Sequence, residues 1–128
     1  MDKKTGKLVH FRNLEVYKSA FDCSMNIFEI RRNYSPEERF SLVDQIRRSS
    51  RSVCSNLSEA WRKRNYIAHF KSKLTDAMSE ASETQTWLDF CLACGYIDQN
   101  SFSDLDDEYD KIIAMLNRMS LHADRFCF

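Results

Sequence analysis

Glycine occurs twice and proline once in this chain of 128 residues. A sheet protein with many tight turns needs more of both, so their scarcity favours long helices with few connections. With only Gly6 and Gly95 present there is no glycine-rich loop to cradle a phosphate, and no nucleophile-elbow motif accompanies the many serines. No apolar run approaches the length of a membrane span. The opening MDKKTGKLVHFRN is basic with no apolar stretch behind it, so no signal peptide is expected and the chain reads as cytoplasmic. Net charge is lacking too, because 19 Lys and Arg balance 19 Asp and Glu.

That balance hides a division. Residues 1–73 hold 16 Lys and Arg against 8 acids, a net of +8; residues 74–128 hold 3 against 11, a net of −8. The halves could neutralise each other in one chain, meet across a subunit interface, or leave the basic side to a polyanion. Five cysteines is an odd number, and free, partly buried thiols are the expected state.

What is plentiful is helical periodicity, and it predicts one all-α domain over 1–128 with four helices, at about 13–32, 36–62, 65–94 and 101–121. In the first, Leu14, Tyr17, Phe21, Met25 and Phe28 recur at steps of three and four, and Val16, Ala20, Cys23, Ile27 and Ile30 form a second apolar row. Two rows make one wide buried face, or one face for the core and one for a partner. The break NYSPEE predicts a helix start with Ser35 as N-cap, Pro36 in the first turn and Glu38 completing a capping box. In the second helix Val43, Ile46, Ser50, Val53, Leu57 and Ala60 share one side, while Arg47, Arg48, Arg51 and Arg62 gather on an arc roughly 130° away.

The third helix carries Ile67, Phe70, Leu74, Ala77, Ala81, Thr84, Leu88 and Cys91 on one side and stops at Gly95, a natural residue just past a helix end. Ala77, Ala81 and Ser82 should let a neighbour approach closely. The fourth repeats the pattern in Phe102, Leu105, Tyr109, Ile112, Leu116 and Met119, starting around Asn100 to Ser103. Its first turns then hold Asp104, Asp106, Asp107 and Glu108, where the helix dipole favours acids. Four such stripes joined by short loops bury one another most simply as an antiparallel up-down four-helix bundle.

The segments FRNLEVYKSA, YSPEERFSLVDQIRRSSRSVCSNLSEA and LACGYI resemble the S23-like family, the four-helix-bundle proteins encoded within intervening sequences of bacterial 23S ribosomal RNA genes. The resemblance covers about residues 11–119, and its most specific part is the block from Gln45 to Glu59, with Asn56 inside it. It implies a ring-like homo-oligomer, commonly a pentamer, and kinship with the accessory protein of diversity-generating retroelements. Through that kinship it implies RNA, DNA or a reverse transcriptase as partners. No enzymatic activity is implied. Where the family usually has Pro and Gly, this chain has Cys54 and Ala60, so its second helix should run on smoothly.

The residues themselves point to one candidate surface. Arg47, Arg48, Arg51, Arg62, Lys63 and Arg64 suit phosphate oxygens, and Trp61 and Tyr66 beside them offer rings for unpaired bases. The alternative is a solvated face, or a structural adaptor whose basic stripe pairs with the acidic fourth helix at a subunit interface. Gln45, Asn56 and Glu59 read as structural, since no partner base stands near Glu59 for catalysis. Cys91 and Cys94 form a CxxC at a helix C-terminus, the wrong end to stabilise a thiolate, so they read as structural thiols. His10, His69 and His122 have no ligand spacing, and Glu80 and Glu83 lack the histidines of a di-iron bundle. No catalytic residue, cofactor or metal site is assigned.

Overall fold

The structure is a computed structural model that describes residues 10–30 and 34–128. After a 3₁₀ turn at Phe11–Asn13, helix α1 spans Glu15–Glu29. Of its two apolar rows, the one with Val16, Ala20, Cys23 and Ile27 is buried. In the other, Phe21 is 48% and Met25 44% exposed, while Leu14 and Tyr17 are half-buried against the core and Phe28 is half-buried. The inner row has the smaller side chains, which let α1 lie close to its neighbours.

The expected capping box does not form. Pro36–Phe40 is a 3₁₀ turn, Ser41 leaves helical geometry (φ −133°, ψ −100°), and α2 spans only Leu42–Arg62. The Ser35 hydroxyl instead meets the Tyr96 hydroxyl at 3.2 Å, and Tyr96 donates to Glu38 Oε2 at 3.3 Å. Both polar groups of the box thus converge on a tyrosine from the far end of α3. A tertiary partner has displaced a local one.

Helix α3 spans Ile67–Ala93 and ends as its glycine predicts. Gly95 has φ +79°, its N–H reaches Leu92 O at 3.0 Å, and Tyr96 N–H reaches Cys91 O at 2.8 Å. This is the double closure of a Schellman motif. Helix α4 spans Gln99–Leu121 and starts earlier than its apolar pattern suggests. Asp98 is its N-cap, accepting from Ser101 N–H at 2.8 Å. The acids from Asp104 to Glu108 therefore lie beyond the first turn, which holds none.

The four helices pack in a ring: α2 on α3, α3 on α4, α4 on α1 and α1 on α2. Helices α2 and α4 are consequently diagonal. Small buried residues bring α2 and α3 closest, with Ser49, Ala77, Ala81 and Thr84 fully buried. Ser82 is exposed and plays no part there. Ser49 Oγ and Thr84 Oγ1 lie 2.8 Å apart, with Ile46 O 3.4 Å from the first and Glu80 O 2.9 Å from the second. Both buried hydroxyls are satisfied at the seam. The last residues dock: after a 3₁₀ turn at Ala123–Arg125, Cys127 is buried and the Phe126 ring lies 6.2 Å from Phe70 and 6.1 Å from Trp61. Among the described residues there is no strand, and no helix is long and apolar enough to cross a membrane.

Candidate nucleic-acid interface

The basic residues of α2 differ in burial and in partners. Arg47 lies nearest the buried stripe, on the α1 side, and is half-buried. Its guanidinium sits over the Phe28 ring at 5.4 Å, and its Nε–H is buried without a hydrogen-bond partner among the described residues. Arg48, one residue on, turns to the α3 side. It pairs with Glu83 and, at 3.6 Å, with Glu80. Trp87 Nε1 adds a hydrogen bond to the same Glu83 oxygen at 3.3 Å. Glu80 and Glu83, which share the spacing of a metal motif, are therefore occupied by an arginine. Arg51, Arg62 and Lys63 are exposed, and among the described residues none of them enters an ion pair.

Arg64 departs from the expected surface. It is 9% exposed, its guanidinium lies 4.2 Å from the Trp61 ring centre and 5.1 Å from that of Phe128, and it donates to Trp61 O at 2.7 Å. Burial, then the neighbouring Arg62 charge, lower its pKa, and the guanidinium remains a cation as arginines in proteins do. The turn after α2 has carried this side chain inward to hold the C-terminal residues. Trp61 is buried beneath it and offers no ring to a base; Tyr66 is 66% exposed and does.

Three surface hollows follow one another along α2, and the second lies between α1 and α2. The first is lined by Arg47, Arg48, Arg51 and Ser55, with Asp44 and Ser52. The second shares Arg51 and Ser55 and adds Tyr17, Phe21 and Met25, and the third continues from Phe11 and Ser58 to Arg62 and Lys63. The aromatic side of this track is the outer row of α1. Phe11 and Tyr17 meet edge-on at 5.1 Å, and Tyr17 and Phe21 lie 6.3 Å apart at 25°. The apolar recurrence of α1 was visible in the sequence, but nothing local showed which row would face out or that it would border the arginines.

The family-like block is structural where its contacts are seen. Asn56 donates to Ser52 O at 2.9 Å within its own helix, and Glu59 pairs with Lys73 of α3 at 2.8 Å. That hydrogen bond, then the Lys73 charge, hold Glu59 below the usual carboxylate range. Gln45 is exposed, with no side-chain hydrogen bond among the described residues.

The thiols are mostly interior. Burial pushes Cys23 up to about 12 and Cys54 up to about 11, and raises Cys91, whose sulfur lies 3.2 Å from the Tyr34 hydroxyl. Cys94 is exposed. The CxxC thus joins a core thiol to a surface one, with all five cysteines free. On α4, the carboxylates of Asp106, Asp107 and Asp110 lie within 4.8 Å of one another, and Gln85 donates to Asp110 at 2.9 Å. Burial, then the Asp110 and Asp89 charges, raise the Asp106 pKa. This acidic face is remote from α2, since the two helices are diagonal.

A family model described as 23S rRNA-intervening sequence protein matches residues 12–118. The fold is similar to the crystal structure of a protein of unknown function from the S23 ribosomal protein family of Bacteroides thetaiotaomicron. The TM-score is 0.73 at 25% identity, covering 82% of this chain and 94% of that one. No curated protein matches.

Proposed function

The chain belongs to the 23S rRNA-intervening sequence protein family, and from that premise we propose that it is a non-enzymatic cytoplasmic bundle that assembles into a homo-oligomer and binds RNA through the basic track of α2. The observation that carries this reading is the charge left over on the track. Arg47, Arg51, Arg62 and Lys63 enter no ion pair among the described residues, and each lines one of the hollows along α2. Phosphate is the anion that a row of arginine forks suits best.

Four such contacts give a measurable signature. The affinity for single-stranded RNA should fall with salt at a logarithmic slope of about −3 per engaged copy. Reversing Arg47 and Arg51 to glutamate should abolish most of the binding. Binding left intact by both reversals would remove this surface from consideration.

A second reading has its own support. Because α2 and α4 are diagonal, the basic stripe and the Asp106–Asp107–Asp110 face do not neutralise each other inside one chain. They are free to do so between chains. In that case the same reversals would break an assembly, seen by light scattering, with no nucleic acid bound at any salt. The search would then turn to protein partners, a reverse transcriptase among them.

A further inference from the structure

We propose that the α1–α2 groove accepts an unpaired RNA strand, with bases on the aromatic wall of α1 and phosphates on the basic wall of α2. The inference rests on the RNA-binding reading and specifies the form of the ligand. A lone exposed aromatic residue needs no explanation, but an outward row at helical spacing does. Phe21 and Met25, 48% and 44% exposed, form such a row with the half-buried Tyr17. They line the same hollow as Arg51, Ser55 and Ser58 of α2. A hydrophobic wall facing a cationic one is poorly matched to water and to an apolar partner alike. It is matched to a polymer that carries flat apolar faces along a polyanionic backbone.

The geometry separates a single strand from a duplex. A paired helix keeps its base faces stacked inside and shows only phosphates and groove edges, so it would use the arginines and leave Tyr17 and Phe21 bare. An unpaired strand uses both walls. The track from Arg47 to Lys63 follows α2 for about 24 Å, the length of roughly seven nucleotides at a stacked rise of about 3.4 Å.

The serines favour ribose. Ser58 Oγ donates to Ser55 O at 2.9 Å and Ser55 Oγ to Ser52 O at 3.3 Å. With their hydrogens committed to the helix, both hydroxyls present acceptor lone pairs to the groove. The 2′-hydroxyl is the donor that RNA has and DNA lacks. Two carboxylates border the track, Asp44 and Glu59, and the second is already paired with Lys73.

Fluorescence anisotropy with a labelled ten-nucleotide RNA, its DNA counterpart and the corresponding RNA duplex tests this on the full chain. Phe21→Ala should weaken single-strand binding about tenfold or more, leaving duplex affinity and the salt slope unchanged. Phe21→Trp should retain single-strand binding, with indole fluorescence quenched on adding RNA. Arg51→Glu should weaken every ligand. Because Phe21 is half-exposed, circular dichroism should show both Phe21 variants folded. Duplex bound as tightly as single strand, with Phe21→Ala weakening neither, overturns the proposal while the RNA-binding reading stands. Equal affinity for the DNA strand overturns the ribose contact. No binding of any ligand by the wild type overturns both readings; loss of assembly in Phe21→Ala by light scattering would then assign the row to a second copy.

Discussion

Replacing Arg64 with methionine separates a side chain that holds the fold from one that meets a ligand. The variant keeps most of the stem packing and removes the guanidinium. The lost hydrogen bond to Trp61 O, at 2.7 Å from a charged donor, is worth about 1.5–3 kcal/mol. The contacts with Trp61 at 4.2 Å and Phe128 at 5.1 Å add roughly 0.5–2 kcal/mol. Two effects offset this. The variant no longer buries a charge, and the residue 64 N–H still lies 3.4 Å from the same carbonyl. A net loss of about 2 kcal/mol follows. At about 2.1 cal/mol/K of unfolding entropy per residue, 128 residues lose about 4 °C of Tm per kcal/mol, so the melt should fall by about 8 °C. Thermal melts by circular dichroism at one protomer concentration measure it, since assembly would make Tm depend on concentration. Arg62→Met is the control: Arg62 is exposed, so its Tm should stay within about 2 °C while RNA affinity drops. If Arg64→Met melts with the wild type and loses RNA affinity as Arg62→Met does, the guanidinium is in solvent and the assignment is wrong.

A thiol reagent at mild alkaline pH should label Cys94 first in the native protein, half-buried Cys54 far more slowly, and Cys23, Cys91 and Cys127 only after denaturation; mass spectrometry of the labelled peptides decides. Gly95→Ala should cost about 1 kcal/mol, or about 4 °C, purely from the positive φ, because a Cβ there would meet nothing within 4 Å. A melt unchanged by that substitution would refute the left-handed geometry. Asp98→Ala should lower Tm at neutral pH. The Ser101 N–H holds the Asp98 pKa below its usual value, so its contribution is complete above the unfolded pKa of about 3.9 and vanishes as pH falls through the folded one. The Tm gap between wild type and variant should therefore close in acid; a gap independent of pH would show that the carboxylate is not the cap.

Much of the fold was legible because helix periodicity is local. The inner row of α1, the stripes of α2, α3 and α4 and the stop at Gly95 all follow from spacing and backbone freedom, and the structure buries most of each stripe and closes the stop; at the ends Ile67 is 50% exposed and Ile30 and Phe102 are half-buried, because no neighbouring helix covers them fully. Boundaries failed where a side chain had a better partner elsewhere. Ser35 and Glu38 fit a capping box until Tyr96 is brought beside them. The start of α4 lies ahead of its apolar pattern because Asp98 caps it, and an aspartate just before a helical run is itself a readable cap signal.

The candidate surface was legible as a composition and not as a shape. Spacing alone put Arg47, Arg48, Arg51 and Arg62 on one arc of α2. It could not tell that Arg48 would reach α3 acids, that Arg47 would lean on Phe28, or that the turn after α2 would fold Arg64 under the tail. Nor could it say which of two apolar rows on α1 would face out. By itself the sequence determined four amphipathic helices, their faces and an uneven distribution of charge, because those depend on residues within a turn or two of each other. The tertiary structure decided which cations stay unpaired and which rings border them, because a side chain's surroundings on a helix are set by the neighbouring helix and not by its own.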